Sequence, residues 1–338
     1  MTVSVKQSTI RLGGFTVVEL MIAMTIGLTI IAGAVGMYNR MSMTNQHNEI
    51  LVRMSEVARY SFEELEYHLR MSGYWGRTEF ARLVEGRMDD PSVDVSAAPY
   101  NDPATCYDGF AVNASSPVEV LNNITVSVGS DWYRCLNFTA NQALDGTDVL
   151  VARHVNVNPI AVGDLQADSL YLVSNYVSGQ LFYGTTVPAG YIATDPIYPV
   201  ENHQFFVLDN SSLSTGSDEV PGLAKWTHEV ATGVATDAPR ELAPSVEDLQ
   251  VQFGVDTNDD DRVDGYINPD DPALAGADIM TVKLWLRIRS VKPSPLTIGG
   301  PSLNYADITY TPAADDVYLH RVFSRTVAVR NEGEGIEL

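Results

Sequence analysis

The sequence predicts an α+β protein in which one long amino-terminal α-helix, half apolar and half amphipathic, packs on a mainly antiparallel β-sheet globular domain. Three observations predict it. Residues 15–38 run 24 residues with Glu19 as their single charge. Beyond them, apolar residues recur three and four apart as far as Leu69, with no proline between residues 1 and 90. After Gly76 the chain changes to short β-branched and aromatic runs separated by Gly, Pro, Asn and Asp.

A helix over residues 15–38 reaches roughly 36 Å at 1.5 Å per residue, enough to cross a hydrocarbon core of about 30 Å. Lys6 and Arg11 precede it, and residues 1–14 contain no acid. The positive-inside rule then keeps the amino terminus in the cytoplasm and places everything after Tyr38 outside.

The helix is expected to continue past the membrane. Leu51, Met54, Ala58, Phe62, Leu65 and Leu69 form one face, and Glu49, Arg53, Glu56, Arg59, Glu63 and Arg70 the opposite one. Ser72-Gly73 is the first stop signal. The second half of the helix should therefore lie on a sheet.

The clearest strand is 280–289, whose even positions are apolar while its odd ones carry Thr, Lys, Trp and Arg, so one face is buried. Further strands are expected at 118–128, 148–155, 169–177, 204–209, 249–256 and 319–329, with long loops near 86–105, 209–222 and 292–303.

Composition excludes several functions. Lys and Arg total 21 against 43 Asp and Glu, a formal charge of -22, and such a surface is a poor partner for nucleic acid. Catalytic signatures for serine hydrolysis, phosphate loops, dinucleotide binding and zinc proteolysis are missing: His228-Glu229 is followed by Val230-Ala231-Thr232, not by a second histidine. The expectation is a protein without enzymatic activity. The six histidines are scattered and read as surface or packed polar residues. Cys106 and Cys135 fit neither a zinc cluster nor a Cys-x-x-Cys motif. In an exported chain they read as one disulfide, in a cytosolic one as two buried thiols.

One constellation carries possible site chemistry. Asp256, Asn258, Asp260 and Asp264 fall at positions 1, 3, 5 and 9 of a calcium loop. Position 6 is Asp261 where glycine is usual, and position 12 is Ile267 where a bidentate Glu is usual. Calcium is the candidate ligand, and a solvated acidic turn is the competing reading.

Glu19 separates three readings of the amino-terminal segment. A secretory signal cut after Ala32-Gly33-Ala34 would have an apolar region longer than the usual 7 to 15 or so residues. A plain anchor leaves Glu19 as an unmotivated cost of up to about 3 kcal/mol. The third reading rests on Gly13-Gly14-Phe15-Thr16-Val17-Val18-Glu19-Leu20-Met21-Ile22, which closely resembles the class III signal of type IV prepilins. That resemblance implies a pilin-like fold, cleavage between Gly14 and Phe15 by prepilin peptidase, methylation of the new terminus, and Glu19 as the fifth residue of the mature chain. In the packed fibre, Glu19 would neutralise the amine of a neighbouring subunit. At 4 Å and an effective dielectric of 20 that attraction is about 4 kcal/mol, enough to offset much of a carboxylate's desolvation.

Further stretches are similar to the PilW family of minor pilins: 69–76 to its helix end, 246–256 with the following Asp-rich loop to its central signature, and 321–331 to its carboxy-terminal strand. The resemblance implies a leader over 1–14, a membrane and fibre-core helix over 15–38, its amphipathic continuation over 39–72 and a periplasmic β-rich domain over 73–338. It implies a structural subunit of a fibre serving adhesion, twitching or DNA uptake, anchored in the inner membrane before assembly. At or near the fibre tip it would help start biogenesis with other major and minor pilins, and a tip adhesin is a further expected partner. Many major pilins carry a proline partway along this helix, whereas this chain offers Gly27, Gly33 and Gly36, which favour close helix packing. The competing functions are a minor pseudopilin of a type II secretion system and a membrane-anchored periplasmic binding protein that never polymerises.

Overall fold

The computed structural model describes residues 14–78, 80–90, 92–95, 110–125, 143–215, 219–229, 239–258, 260–275, 277–296 and 298–329. Cys106 and Cys135, and the expected disulfide with them, lie outside the described residues, as do Lys6 and Arg11 of the leader. Two compact units divide the chain, 1–49 and 50–338.

Helix α1, Val17–Met71, is one uninterrupted element. Its amino-terminal part is apolar on every side: Val17, Leu20, Ile22, Ile26, Leu28 and Ile31 are all exposed. Among the described residues it is the one helix long and apolar enough to cross a membrane, with a mean hydropathy of 2.1 over its apolar window. Thr25 and Thr29 spend their hydroxyls on carbonyls three and four residues back, which hides their polarity within the helix.

In the second unit the helix becomes amphipathic as its spacing predicts. Met54, Ala58, Phe62, Leu65 and Leu69 are buried, while Arg53, Glu56, Arg59, Glu63 and Arg70 face outward, and Glu49, the last residue of the first unit, is exposed too. Helix α1 ends where Gly73 takes φ 76, the left-handed conformation that glycine adopts most cheaply. The Gly73 N–H donates to the Arg153 carbonyl, and the Val155 N–H donates to the Tyr74 carbonyl. Gly76 is held by space as well as by φ, since a Cβ there would come within 2.6 Å of Ser174 and of Tyr198.

Fourteen strands follow among the described residues: β1 (Val84–Glu85), β2 (Val118–Leu121), β3 (Val149–Val155), β4 (Leu170–Ser174), β5 (Gly179–Tyr183), β6 (Ile197–Leu208), β7 (Gly222–Glu229), β8 (Arg240–Pro244), β9 (Val246–Asp256), β10 (Gly265–Ile267), β11 (Asp278–Arg289), β12 (Leu303–Tyr305), β13 (Ile308–Tyr310) and β14 (His320–Ala328). The first sheet runs β1-β5-β4-β6-β3-β2, with β7 and β8 continuing from β6. A second has the order β10-β9-β11-β14, and β12 and β13 form a hairpin. Apart from the two-residue parallel pair of β1 and β5, every pairing is antiparallel, as expected.

Strand β11 alternates as its sequence requires: Val282, Leu284, Leu286 and Ile288 are fully buried, and the residues between them are half-buried. Their apolar face shares one core with the buried stripe of α1 and with Leu150, Phe205 and Leu223 from the first sheet. Asp148 joins the two sheets. Its carboxylate accepts the Asn123 N–H at 2.8 Å and the Val251 N–H at 2.8 Å, and its own N–H donates to the Leu249 carbonyl at 2.9 Å. Burial pushes this carboxyl up to about 7, against the pull of the two backbone donors.

Several strands differ from expectation. Strand β2 ends at Leu121 and β4 at Ser174, both short of their sequence estimates, while β6 begins seven residues earlier than expected, running through Pro199. Strands β5, β7 and β8 carry no strong strand pattern and are paired into place.

Candidate functional site

The structure gives the expected processing and assembly residues a local geometry. Gly14 and Phe15 lie immediately before α1, exposed. Thr16 precedes the first helical residue, and its hydroxyl accepts the Glu19 N–H at 3.2 Å. In return a Glu19 carboxylate oxygen accepts the Thr16 N–H at 3.0 Å and the Thr16 hydroxyl at 3.0 Å. That reciprocal pair is a capping box, the arrangement Thr-x-x-Glu forms at helix starts. Sequence reasoning gave Glu19 one role, in assembly, and missed this second one, although the spacing was there to read.

The acidic loop is built as a turn. One Asp256 carboxylate oxygen accepts the Asn258 N–H at 2.9 Å and the other the Asp261 N–H at 2.7 Å. Asp264 accepts from the Thr257 N–H, the Thr257 hydroxyl and the Asn258 amide. Asp261 sits at φ 61, in the left-handed region where position 6 of a calcium loop also sits. Asp256 is buried, while Asn258, Asp260 and Asp264 are exposed. Among the described residues, the groups of three or more His, Cys, Asp or Glu whose ligand atoms converge do not include this loop.

The converging group is one that sequence reasoning left scattered. His68 lies on the buried stripe of α1 beside Leu69, His154 ends the inner face of β3 after Leu150 and Ala152, and His203 lies on the same face of β6 beside Phe205. Register makes this necessary: Ala152 pairs with His203, and His203 with Thr227 of β7. All three are buried. Their stacking is close, with His68 and His203 ring centres 3.8 Å apart and His154 and His203 4.9 Å apart. The available signal was phase on α1, where His68 falls on the apolar stripe.

Hydrogen bonding assigns the tautomers. His154 Nδ1 lies 3.0 Å from the Val155 carbonyl, which only accepts, so Nδ1 carries the proton. His154 Nε2 is then an acceptor, and His68 Nδ1, 3.0 Å away, donates to it. His68 Nε2 in turn accepts from Lys225 Nζ at 3.2 Å, and the same ammonium donates to Glu64 at 2.5 Å. Likewise His203 Nε2 donates to Glu201 at 3.1 Å, leaving Nδ1 to accept the Thr227 hydroxyl at 3.1 Å. These bonds are satisfied with neutral rings. Burial first, then the neighbouring His203 and Lys225, hold His68 far below the ordinary imidazole range. The same kind of burial, with His203, lowers His154 to about 4. Burial pushes Glu201 up, but hydrogen bonds from His203 and Asn156 win and keep it below its usual value.

A contrasting cluster lies on the outer side of the second sheet. His320 sits between two carboxylates, Nδ1 at 2.8 Å from Glu247 and Nε2 at 2.9 Å from Asp316. Burial works against its charge, yet the hydrogen bond and charge of Glu247 raise it. Arg287 binds Glu247 at 3.2 Å and the Tyr305 hydroxyl at 2.7 Å, and Tyr305 donates to Asp248 at 2.5 Å.

No curated protein matches the chain. Among solved structures, a type IV-like pilin from Thermus thermophilus is similar at 13% identity, with 56% of this chain and 80% of that one covered and a TM-score of 0.26. That likeness is too slight to bear on the fold. The family model of the type IV pilus-assembly protein W matches residues 204–331, from within β6 past the end of β14. Two of the three stretches that resemble PilW in sequence, 246–256 and 321–331, fall inside it. Over this carboxy-terminal part the chain is similar to the PilW family of type IV pilus-assembly proteins.

Proposed function

We propose that this chain is a minor pilin of a type IV pilus. It is made as a prepilin in the inner membrane, amino terminus cytoplasmic and β-rich domain periplasmic. Prepilin peptidase cuts it between Gly14 and Phe15 and methylates Phe15. The mature subunit enters the fibre at or near the tip, where with other pilins it helps start assembly. The observation that carries the reading is the start of α1: Gly14-Phe15 lies just before a helix whose residues 17–38 expose their apolar side chains and carry one acid, Glu19, four residues past Phe15. An exposed apolar face of that extent needs lipid or other helices around it. The match over 204–331 supports the pilus system in particular.

Mass spectrometry of the protein from membranes tests the reading. The expected amino terminus is a methylated Phe15, and a mature start after Ala34 would overturn it. Deleting the gene should reduce surface pili and leave protein secretion intact; the reverse result would make the chain a pseudopilin.

A further inference from the structure

Among the described residues, His68, His154 and His203 are the group of three metal-ligating side chains whose ligand atoms converge. One nitrogen from each ring lies within 4.8 Å of the others. For a tetrahedral ion bonded to imidazoles at about 2.0–2.1 Å, ligand nitrogens stand about 3.3 Å apart. His68 Nδ1 and His154 Nε2, now 3.0 Å apart, need to part by only a few tenths of an ångström.

The outer nitrogens are the second and independent observation. A metal-ligating histidine characteristically donates its other N–H to a backbone carbonyl or a carboxylate, which fixes the tautomer and raises ligand basicity. His154 has that partner in the Val155 carbonyl, and His203 has it in Glu201. Glu201 is itself held by the Asn156 amide at 2.6 Å. In both rings the other nitrogen is therefore already unprotonated, as a metal requires: His154 Nε2, which accepts from His68, and His203 Nδ1, which accepts from Thr227. His68 differs. Its inward Nδ1 carries the proton, and its outer Nε2 accepts from Lys225. Glu64 lies 3.7 Å from that Nε2 and can accept a proton moved there.

We propose that His68, His154 and His203 bind one zinc-like divalent transition-metal ion, which fastens the last turn of α1 to β3 and β6. Imidazole suits zinc, nickel and copper, and a closed three-nitrogen site on buried elements favours the tetrahedral ion, zinc. The ligands are His154 Nε2, His203 Nδ1 and His68 Nδ1, with the fourth position open to the Thr227 hydroxyl or to water. On binding, the His68 proton moves from Nδ1 to Nε2, which turns from Lys225 to Glu64, so no proton leaves the ring. The ion's charge faces the carboxylates of Glu64 and Glu201. Lys225 is the opposing group, because its ammonium occupies the partner that His68 needs. The site thus has two states: lysine-bridged without metal, glutamate-bridged with it.

The untagged full-length chain in detergent, cleared with a chelator, is titrated with zinc in a background of magnesium and calcium. The expected result is one zinc per chain and a melting temperature raised by several degrees once zinc reaches about a hundredfold excess over its dissociation constant. Cobalt(II) should give the intense visible bands of tetrahedral coordination. His154→Gln and His203→Gln should each weaken zinc binding about a hundredfold, and His47→Gln and His320→Gln should leave it unchanged. Lys225→Met should tighten it about tenfold, and this variant, with the cobalt spectrum of the unaltered chain, decides the matter should the histidine variants fail to fold. Substoichiometric zinc, an octahedral cobalt spectrum, zinc retained in a folded His203→Gln protein, or zinc lost in His320→Gln would each overturn the proposal.

Discussion

The two parts of α1 share a backbone conformation and differ in everything else. From Val17 to Tyr38 the helix is apolar around its circumference, exposed, and polar chiefly at its first turn, where Thr16 and Glu19 close a capping box. From Ile50 onward one stripe is apolar and buried, the other face is charged, and the last turn holds a buried ionisable group, His68. One helix can thus be specified by two unrelated needs. The first part matches a surrounding that is apolar everywhere, and the second matches one that is apolar on one side only.

The largest test of that contrast is truncation of one leucine in each part. Leu65→Ala, at a fully buried position in the shared core, should destabilise the second unit by about 2–5 kcal/mol. Leu28→Ala, which is 66% exposed, should change the melting temperature of the detergent-held protein by no more than the scatter of surface substitutions, within about 0.5 kcal/mol. Equal losses at the two positions would mean that the amino-terminal part has a packed partner within the chain.

Acid should separate the parts next. The folded state holds His68 and His154 neutral, with Glu64, Glu201, Lys225 and His203 around them, and their folded pKa values lie below the unfolded ones. Unfolding then binds protons, so stability is complete above about pH 6.5 and falls as the pH drops toward 4. A loss on the order of a few kcal/mol is expected in melts at pH 7.5 and 4.5, reduced in His154→Gln, while helical signal from the amino-terminal part persists. His320 has the opposite sign: its folded pKa is raised, so its contribution is complete below about pH 6.5 and is lost as pH rises through the raised value. His320→Gln should flatten the alkaline side of the stability profile and leave the acid side alone.

The smallest effect separates the capping seen for Glu19 from the assembly role proposed for it. Glutamine can keep the capping box, since either Glu or Gln serves at that position, but it cannot neutralise a neighbour's amine. Glu19→Gln should therefore leave the helix start intact and still lower the protein's abundance in sheared pili, whereas Glu19→Ala should also lose a cap worth about 1 kcal/mol. Normal incorporation of Glu19→Gln with impaired incorporation of Glu19→Ala would assign the residue to capping alone.

What the sequence made legible followed from period. The stripe of α1 and the alternation of β11 are local patterns with a single geometric solution, and both were readable in advance. Strands β7 and β8 were not, because Leu223, Ala224 and Lys225, then Glu241, Leu242 and Ala243, are good helix formers that pairing with β6 and with each other overrides. The histidine cluster was half legible. Only His68 falls on a readable apolar stripe, and it takes the register of β3, β6 and β7, with the last turn of α1 laid over them, to bring three residues from positions 68 to 203 together.

The bonds from Gly73 to Arg153 and from Val155 to Tyr74 give α1 a mechanical role. A pull on the last turn of α1 is handed directly to a strand, because the chain leaving α1 meets β3 within two residues of the helix end. Strand β3 lies between β2 and β6, so the load enters the interior of the larger sheet and spreads through antiparallel ladders on both sides. The load thus enters at a strand paired on both sides and not at a loop.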